Sequence, residues 1–228
     1  MATDQVSGPR VISVSRNLLV KNAEVAGRNR EMFRRLGVFV ANVLSSPGSG
    51  KTTLLQATLA RLRAKAAVVV GDLATDNDAR RLYGTGAPVV QITTGNLCHL
   101  EADMVSRACA EIELAGVRLL FIENVGNLVC PASYDLGEDI RVVLMGVTDG
   151  EHKPLKYPKM FKTADVVVLS KTDLSGPAGF ERSAALENLR QVAPRAKVFE
   201  LSARTGEGMP AWCAFLQDRM GVVTRRPF

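Results

Sequence analysis

Histidine, cysteine and aromatic residues are scarce here: two, four and 5% of 228 residues. No run approaches the ~18 uninterrupted apolar residues of a membrane-spanning helix, so no membrane partner is expected. The cysteines, Cys98, Cys109, Cys130 and Cys213, are too sparse for a disulfide scaffold at this length. The opening MATDQVSGPR lacks the apolar centre of an export signal. A cytoplasmic location with reduced thiols is therefore expected. The formal charge is +6, from 29 basic and 23 acidic residues. The excess falls in separate segments, 28–35, 153–162 and 225–226, without the interleaved aromatics of a nucleic-acid surface. Solvated helix faces account for it, and no nucleic-acid partner is expected.

Hydrophobic residues at 46% and charged residues at 23% are ordinary for a globular chain. Residues 1–13 read as a disordered leader and 223–228 as a tail. Residues 14–37 read as an amphipathic helix, with Leu18, Leu19, Val25, Ala26, Phe33 and Leu36 at helical spacing and Gly37 as its stop. Between 38 and 222 the pattern alternates. Short β-branched runs occur at 38–44, 67–70, 88–92, 117–122, 142–147, 166–169 and 198–201. Helical patterns occupy 52–65, 77–83, 99–115, 179–192 and 209–220. Several of the strand-like runs are apolar throughout, as in strands covered on both faces. The expected fold is α/β, doubly wound around a mostly parallel sheet. Ligands of such sheets bind beyond the carboxyl ends of the strands, so the residues just after each strand carry the information.

The first strand runs into Ser45-Ser46-Pro47-Gly48-Ser49-Gly50-Lys51-Thr52-Thr53, and a helix follows. Apart from Ser45 in the first glycine position, this is the phosphate-binding pattern of a P-loop. Gly48 and Gly50 let the backbone amides around Ser49 turn inward onto phosphate oxygens. Lys51 reaches toward the β and γ phosphates, and the Thr52 hydroxyl binds Mg²⁺. After the second strand come Asp72, Asp76 and Asp78. Asp72 and Asp78 are the candidates for the magnesium shell; Asp76 suits a helix cap better.

The strand at 166–169 ends in Ser170-Lys171-Thr172-Asp173. Guanine-binding P-loop proteins carry N-K-x-D there. The carboxylate of Asp173 accepts from N1–H and the exocyclic amine of guanine, which adenine does not offer in that arrangement. The Lys171 stem lies along the base. After the next strand, Ser202-Ala203 supplies a backbone N–H for the guanine O6. GTP is thus favoured over ATP. The fourth strand ends in Glu123-Asn124-Val125-Gly126, with the spacing of the D-x-x-G element of regulatory GTPases. Glu123 would hold a magnesium-bound water, and the Gly126 amide would meet the γ-phosphate. No glutamine stands ready to orient water, so slow hydrolysis is expected.

Cys98 and His99 adjoin each other at the expected start of a helix, and Cys130 follows Glu123 by seven residues. All three leave the strands at the phosphate-loop edge. A Cys₂His set with an open position suits tetrahedral Zn²⁺ or planar Ni²⁺, and the residues alone do not choose. Because Cys130 shares a segment with Glu123, its position is expected to depend on the nucleotide. Cys109 and Cys213 read as packing residues.

These motifs together, SSPGSGKTTLL, GD…NDARR, TGNLCHLEA, LLFIENVGNLVCPASYDLGE, DGEHKPLKYPKMF and SKTDL, resemble the nickel-incorporation GTPases of [NiFe]-hydrogenase maturation, the HypB family, within the SIMIBI class. The resemblance runs from about residue 11 to 220. It implies a homodimer when GTP is bound and a metal at its interface, held by Cys98, His99 and Cys130. It also implies delivery of Ni²⁺ to the hydrogenase large subunit together with a second nickel chaperone. Ser45 is usual in this family. Ser170 replaces its usual Asn, Glu101 its usual Asp, and His152 a frequent acidic residue. The Cys-rich or His-rich leader of some members is absent from MATDQVSGPR. A urease-maturation GTPase is the alternative, but its Cys-Pro-His motif is missing. A small-molecule P-loop kinase would leave SKTD without a purpose. Exchanging Asp173 for Asn is expected to move nucleotide preference from GTP toward xanthosine triphosphate, measured by competition binding; unchanged GTP affinity would contradict the base assignment.

Overall fold

A computed structural model describes residues 14–62 and 64–223. The expected leader, and all of the expected tail except Val223, lie outside the described residues. Seven strands form one sheet: β1 Phe39–Ser45, β2 Ala66–Asp72, β3 Val89–Thr93, β4 Leu119–Glu123, β5 Ile140–Gly146, β6 Val166–Ser170 and β7 Lys197–Glu200. Their order is β3-β2-β4-β1-β5-β6-β7, and every pairing is parallel. All seven residues of β1 are buried. This is the continuous burial expected of a strand with layers on both faces, and it takes in the polar Asn42 and Ser45.

Among the described residues, eight α-helices accompany the sheet: α1 Val14–Leu36, α2 Lys51–Leu59, α3 Asn77–Tyr83, α4 Ala102–Ala110, α5 Lys153–Lys156, α6 Pro158–Lys162, α7 Arg182–Val192 and α8 Met209–Val223. One core layer joins α2 and α8 to the sheet through Leu54, Leu55, Trp212 and Leu216. On the other face, Phe33 of α1 and Val105 and Cys109 of α4 pack on Val40, Val69 and Leu120. A third cluster sets Met160, Phe161 and Leu189 against β5 and β6.

Two expectations need correction. The pattern over 99–115 suggests a helix beginning at Cys98-His99, but α4 starts only at Ala102. Glu101 is extended at φ −109°, ψ 155°, and Leu100 is fully buried. Cys98 and His99 therefore lie in the loop ahead of the helix. The inner face of α1 also differs from the apolar pattern. Leu18 and Leu36 are about half exposed, while Asn22, Ala26, Asn29 and Phe33 are buried. Those four recur at helical spacing, so two asparagines occupy the inward stripe.

Both side chains bond to the backbone of distant segments. Asn22 accepts from the Ala102 amide at 2.8 Å and donates to the Asp135 carbonyl at 2.7 Å. Asn29 Nδ2 donates to the carbonyls of Ala102 and Leu136 at 2.8 and 3.1 Å. Arg30 adds a two-pronged contact with Asp135 at 2.7 and 2.8 Å. Replacing Asn29 with Ala leaves two interior carbonyls without their donor. The expected loss is about 2–3 kcal/mol in urea unfolding, whereas Leu18→Ala, at an exposed position, should change stability by under about 0.5 kcal/mol.

Candidate nucleotide and metal sites

The loop between β1 and α2 turns through Gly48 at φ +75° and Gly50 at φ +97°. Only glycine adopts these left-handed angles without strain. Asp149, which the motifs do not single out, braces this loop from the side. Its Oδ2 accepts from Ser49 Oγ at 2.9 Å, Ser46 Oγ at 3.2 Å and the Gly146 amide at 3.0 Å. The available signal is an acidic residue just beyond a strand that is apolar after Arg141, on the ligand side of a parallel sheet.

Lys51 opens α2, and its Nζ donates to Ser45 Oγ at 3.1 Å. Burial pushes the Lys51 ammonium down from its ordinary range; the carboxylates of Glu123, Asp78 and Asp72 oppose that shift. Thr52 Oγ1 donates to Glu123 Oε1 at 2.7 Å. Glu123 is 2% exposed, and burial lifts its carboxyl to about 7 against the pull of Lys51 and Thr52. Its Oε2 has no hydrogen-bond partner among the described residues. A buried acceptor beside the Thr52 hydroxyl fits a divalent cation with its water shell.

Burial raises the Asp72 carboxyl, but bonds from the Ala74 and Thr75 amides prevail and hold it below its ordinary value. Asp78 lies 3.5 Å from Arg81, whose Nη2 also donates to Thr53 Oγ1 at 3.1 Å. Asp76 stands ahead of α3 but makes no side-chain cap; it pairs with Arg80 at 2.7 Å. A cleft of about 480 Å³ gathers Gly48, Gly50, Lys51, Thr52, Thr53, Asp72, Asp78, Glu123 and Gly126. Arg81 also lines it, a cation that motif reading passes over. Gly126 sits so close to Pro47 that an added Cβ would be 3.2 Å from its ring and backbone.

A second pocket, about 190 Å³, adjoins the cleft and holds Ser49, Asp173, Ser202 and Ala203. Gly50, Thr53 and Lys171 border both spaces. The two spaces thus form one elongated site. Ser170 donates to the Ser49 carbonyl at 2.7 Å, so its hydroxyl anchors the base loop to the phosphate loop. Arg204 approaches Asp173 at 3.9 Å.

The other cluster lies at the same sheet edge. Cys98 and His99 follow β3, and Cys130 opens a short 3₁₀ turn, Cys130–Ser133, after β4. The ligand atoms of Cys98, His99 and Cys130 lie within 4.8 Å of one another. The two sulfurs are 2.7 Å apart, and His99 Nδ1 is 4.0 Å from Cys98 Sγ. Two soft thiols and one imidazole form a donor set suited to a borderline-soft divalent ion such as zinc or nickel. His152 is exposed ahead of α5 and lies outside this cluster.

Two asparagines of the β4 loop hold the backbone around the Cys98-His99 pair. Asn124 Oδ1 accepts from the Leu100 amide at 3.2 Å, and Asn127 Nδ2 donates to the Cys98 carbonyl at 3.2 Å. The segment that begins at Glu123 therefore reaches the metal cluster both through these bonds and through Cys130.

A parallel sheet bearing a P-loop beside an acidic cleft defines a P-loop nucleotide-binding protein. The nucleotide-binding domain model of the CobW/HypB/UreG family matches residues 39–200. The hydrogenase maturation factor HypB of Azotobacter chroococcum mcd 1 is 48% identical over 96% of this chain and 73% of its own length. The hydrogenase/urease maturation factor HypB of Helicobacter hepaticus (strain ATCC 51449 / 3B1) is 42% identical over 91% of this chain and 88% of its own. Among solved structures, HypB from Helicobacter pylori in complex with nickel superposes with TM-score 0.85 at 40% identity, covering 91% of this chain and all of that one. The chain belongs to the HypB family of hydrogenase maturation factors.

Burial raises the Cys109 thiol to about 12 and also raises Cys213. The thiolate is the reactive form. The contact with Cys130, and burial, raise Cys98 too, so exposure decides: iodoacetamide at pH 8 is expected to modify the partly exposed Cys98 and Cys130 in the native chain, with the buried Cys109 and Cys213 reacting only after unfolding. Peptide mass spectrometry checks the order.

Proposed function

We propose that this chain is a GTP-hydrolysing nickel metallochaperone. Its cycle uses GTP and Mg²⁺, and its cargo is Ni²⁺, with Zn²⁺ as the competing occupant. The observation that carries the reading is the Cys98, His99 and Cys130 cluster, with ligand atoms within 4.8 Å, joined by one short segment to the buried Glu123 of the nucleotide cleft.

In the proposed cycle the loop amides from Gly48 to Lys51 and the Lys51 ammonium neutralise the phosphates. Magnesium supplies charge stabilisation on the phosphoryl oxygens when bound. Thr52, Asp72 and Asp78 are its proposed holders, with Glu123 accepting from a water in its shell. Asp173 reads guanine, Lys171 covers the base, and Ser202 and Ala203 face O6. The Gly126 amide senses the γ-phosphate. Its tight fit against Pro47 supports a movement of the 124–130 segment when that phosphate leaves. Such a movement would carry Cys130 and the asparagine bonds to Leu100 and Cys98 with it.

The proposed setting follows the family. GTP binding promotes a homodimer, and the metal passes, with a nickel chaperone partner, to the hydrogenase large subunit in the cytoplasm. No described helix is long and apolar enough to cross a membrane.

The test is nickel titration of the purified chain with GDP and with a non-hydrolysable GTP analogue. The expected affinities differ about tenfold between the two states, within the usual range of coupling between sites. Cys98→Ala should abolish tight binding in both. Lys51→Ala should abolish GTP turnover, and sedimentation should show dimer only with the analogue. Equal nickel affinity in the two states overturns the coupling, and wild-type turnover no faster than Lys51→Ala overturns the GTPase assignment.

A further inference from the structure

His99 is 8% exposed, and its ring is held from several sides. The Tyr134 ring lies on it, with centroids 3.9 Å apart and planes tilted by 31°. Nδ1 is on the thiol side, 4.0 Å from Cys98 Sγ. The other nitrogen, Nε2, is buried with no hydrogen-bond partner among the described residues. It faces Oε1 of Glu101 at 3.6 Å. The Glu101 backbone is fixed by the helix that follows it, its carbonyl accepting from the Val105 amide at 3.2 Å. Its side chain is about one-third exposed, which leaves it room to close on the ring.

A neutral imidazole has one N–H and one lone pair. When it ligates a metal, the second nitrogen ordinarily donates to a carboxylate or carbonyl, which fixes the tautomer and strengthens the ligating nitrogen. We propose that Glu101 is the positioning residue of the metal cluster: it accepts the Nε2 proton of His99, so that the Nδ1 lone pair is presented to a thiophilic divalent cation between Cys98 and Cys130. Glu101 is not itself a ligand, because its carboxylate faces the nitrogen turned away from the thiols. Tyr134 holds the ring plane while the carboxylate sets the proton. This inference rests on the reading of Cys98, His99 and Cys130 as metal ligands, and its test separates the two.

The experiment uses the full chain with Glu101→Gln, Glu101→Ala and Glu101→Asp. With two histidines in the sequence, ¹⁵N ring spectra resolve His99 directly. In the metal-free protein the proton is expected on Nε2, protected from solvent exchange, and that protection should be lost in Glu101→Ala. Nickel affinity, measured against a competing chelator, should fall about 10–100-fold in Glu101→Gln. Glu101→Asp should recover part of it, and melting temperatures should stay near wild type. An unchanged nickel affinity in Glu101→Gln overturns the proposal. So does a proton on Nδ1, or nickel bound through Nε2. If the wild-type chain takes no nickel, the metal assignment fails, and the exchange readout alone decides the role of Glu101: protection lost in Glu101→Ala supports it, and protection unchanged overturns it.

Discussion

The register of β1 between β4 and β5 is the constraint on which the rest depends. Val43 pairs with Glu123 on one side, and Ser45 pairs with Leu144 on the other. Because the strands are parallel, all three chains leave the sheet in the same direction. The phosphate loop emerges from the middle, the Glu123 segment beside it, and Asp149 from the far neighbour. A one-residue slip in either pairing would turn Glu123 away from Thr52 or Asp149 away from Ser49. The apolar interior of β1 resists that slip, since each of its residues is buried and would have to exchange faces.

Charge is concentrated where that register places it. Glu123 is buried and Lys51 half-buried, and both are shifted toward their neutral forms by loss of water. Opposite charges close together offset part of the cost of burying each. The incoming phosphates and cation would complete this arrangement by placing anionic oxygens beside Lys51 and positive charge beside Glu123. The interior polar groups around the metal cluster are handled differently. Asn124 and Asn127 connect neutral amides to backbone atoms, so the positions of the loops are set without net charge.

Much of this organisation is legible in the residues themselves. The seven strands and the P-loop follow from β-branched runs and glycine placement, because both depend on local chemistry. The exact ends of the helices do not. Beyond α4, Ile112 and Leu114 remain buried although the chain there has left the helix, and apolar periodicity cannot distinguish a packed turn from a helical one. Asp149 opens the DGEHKPLKYPKMF stretch, but its role is hidden from pattern reading because its partners, Ser46 and Ser49, lie 103 and 100 residues away in sequence. Asn22 and Asn29 mislead for the opposite reason: polar residues are assigned outward, whereas here the backbone ends they satisfy lie inward. The Ser170 hydroxyl shows a related limit, since its bond to Ser49 spans 121 residues and needs the fold to reveal it.

The asparagines of α1 have a consequence for where the functional unit begins. The nucleotide-binding domain model matches from residue 39, after α1 has ended. Yet Asn29 alone spans Ala102 and Leu136, one just beyond Cys98-His99 and the other just beyond the turn that Cys130 opens. The helix works as a calliper laid across both jaws of the metal cluster from outside the nucleotide fold. Every residue that lines the two pockets follows α1 in sequence, whereas the Asn29 bonds that flank the Cys98, His99 and Cys130 cluster come from α1 itself. A fragment cut at the start of β1 would keep the first set whole and lose the second.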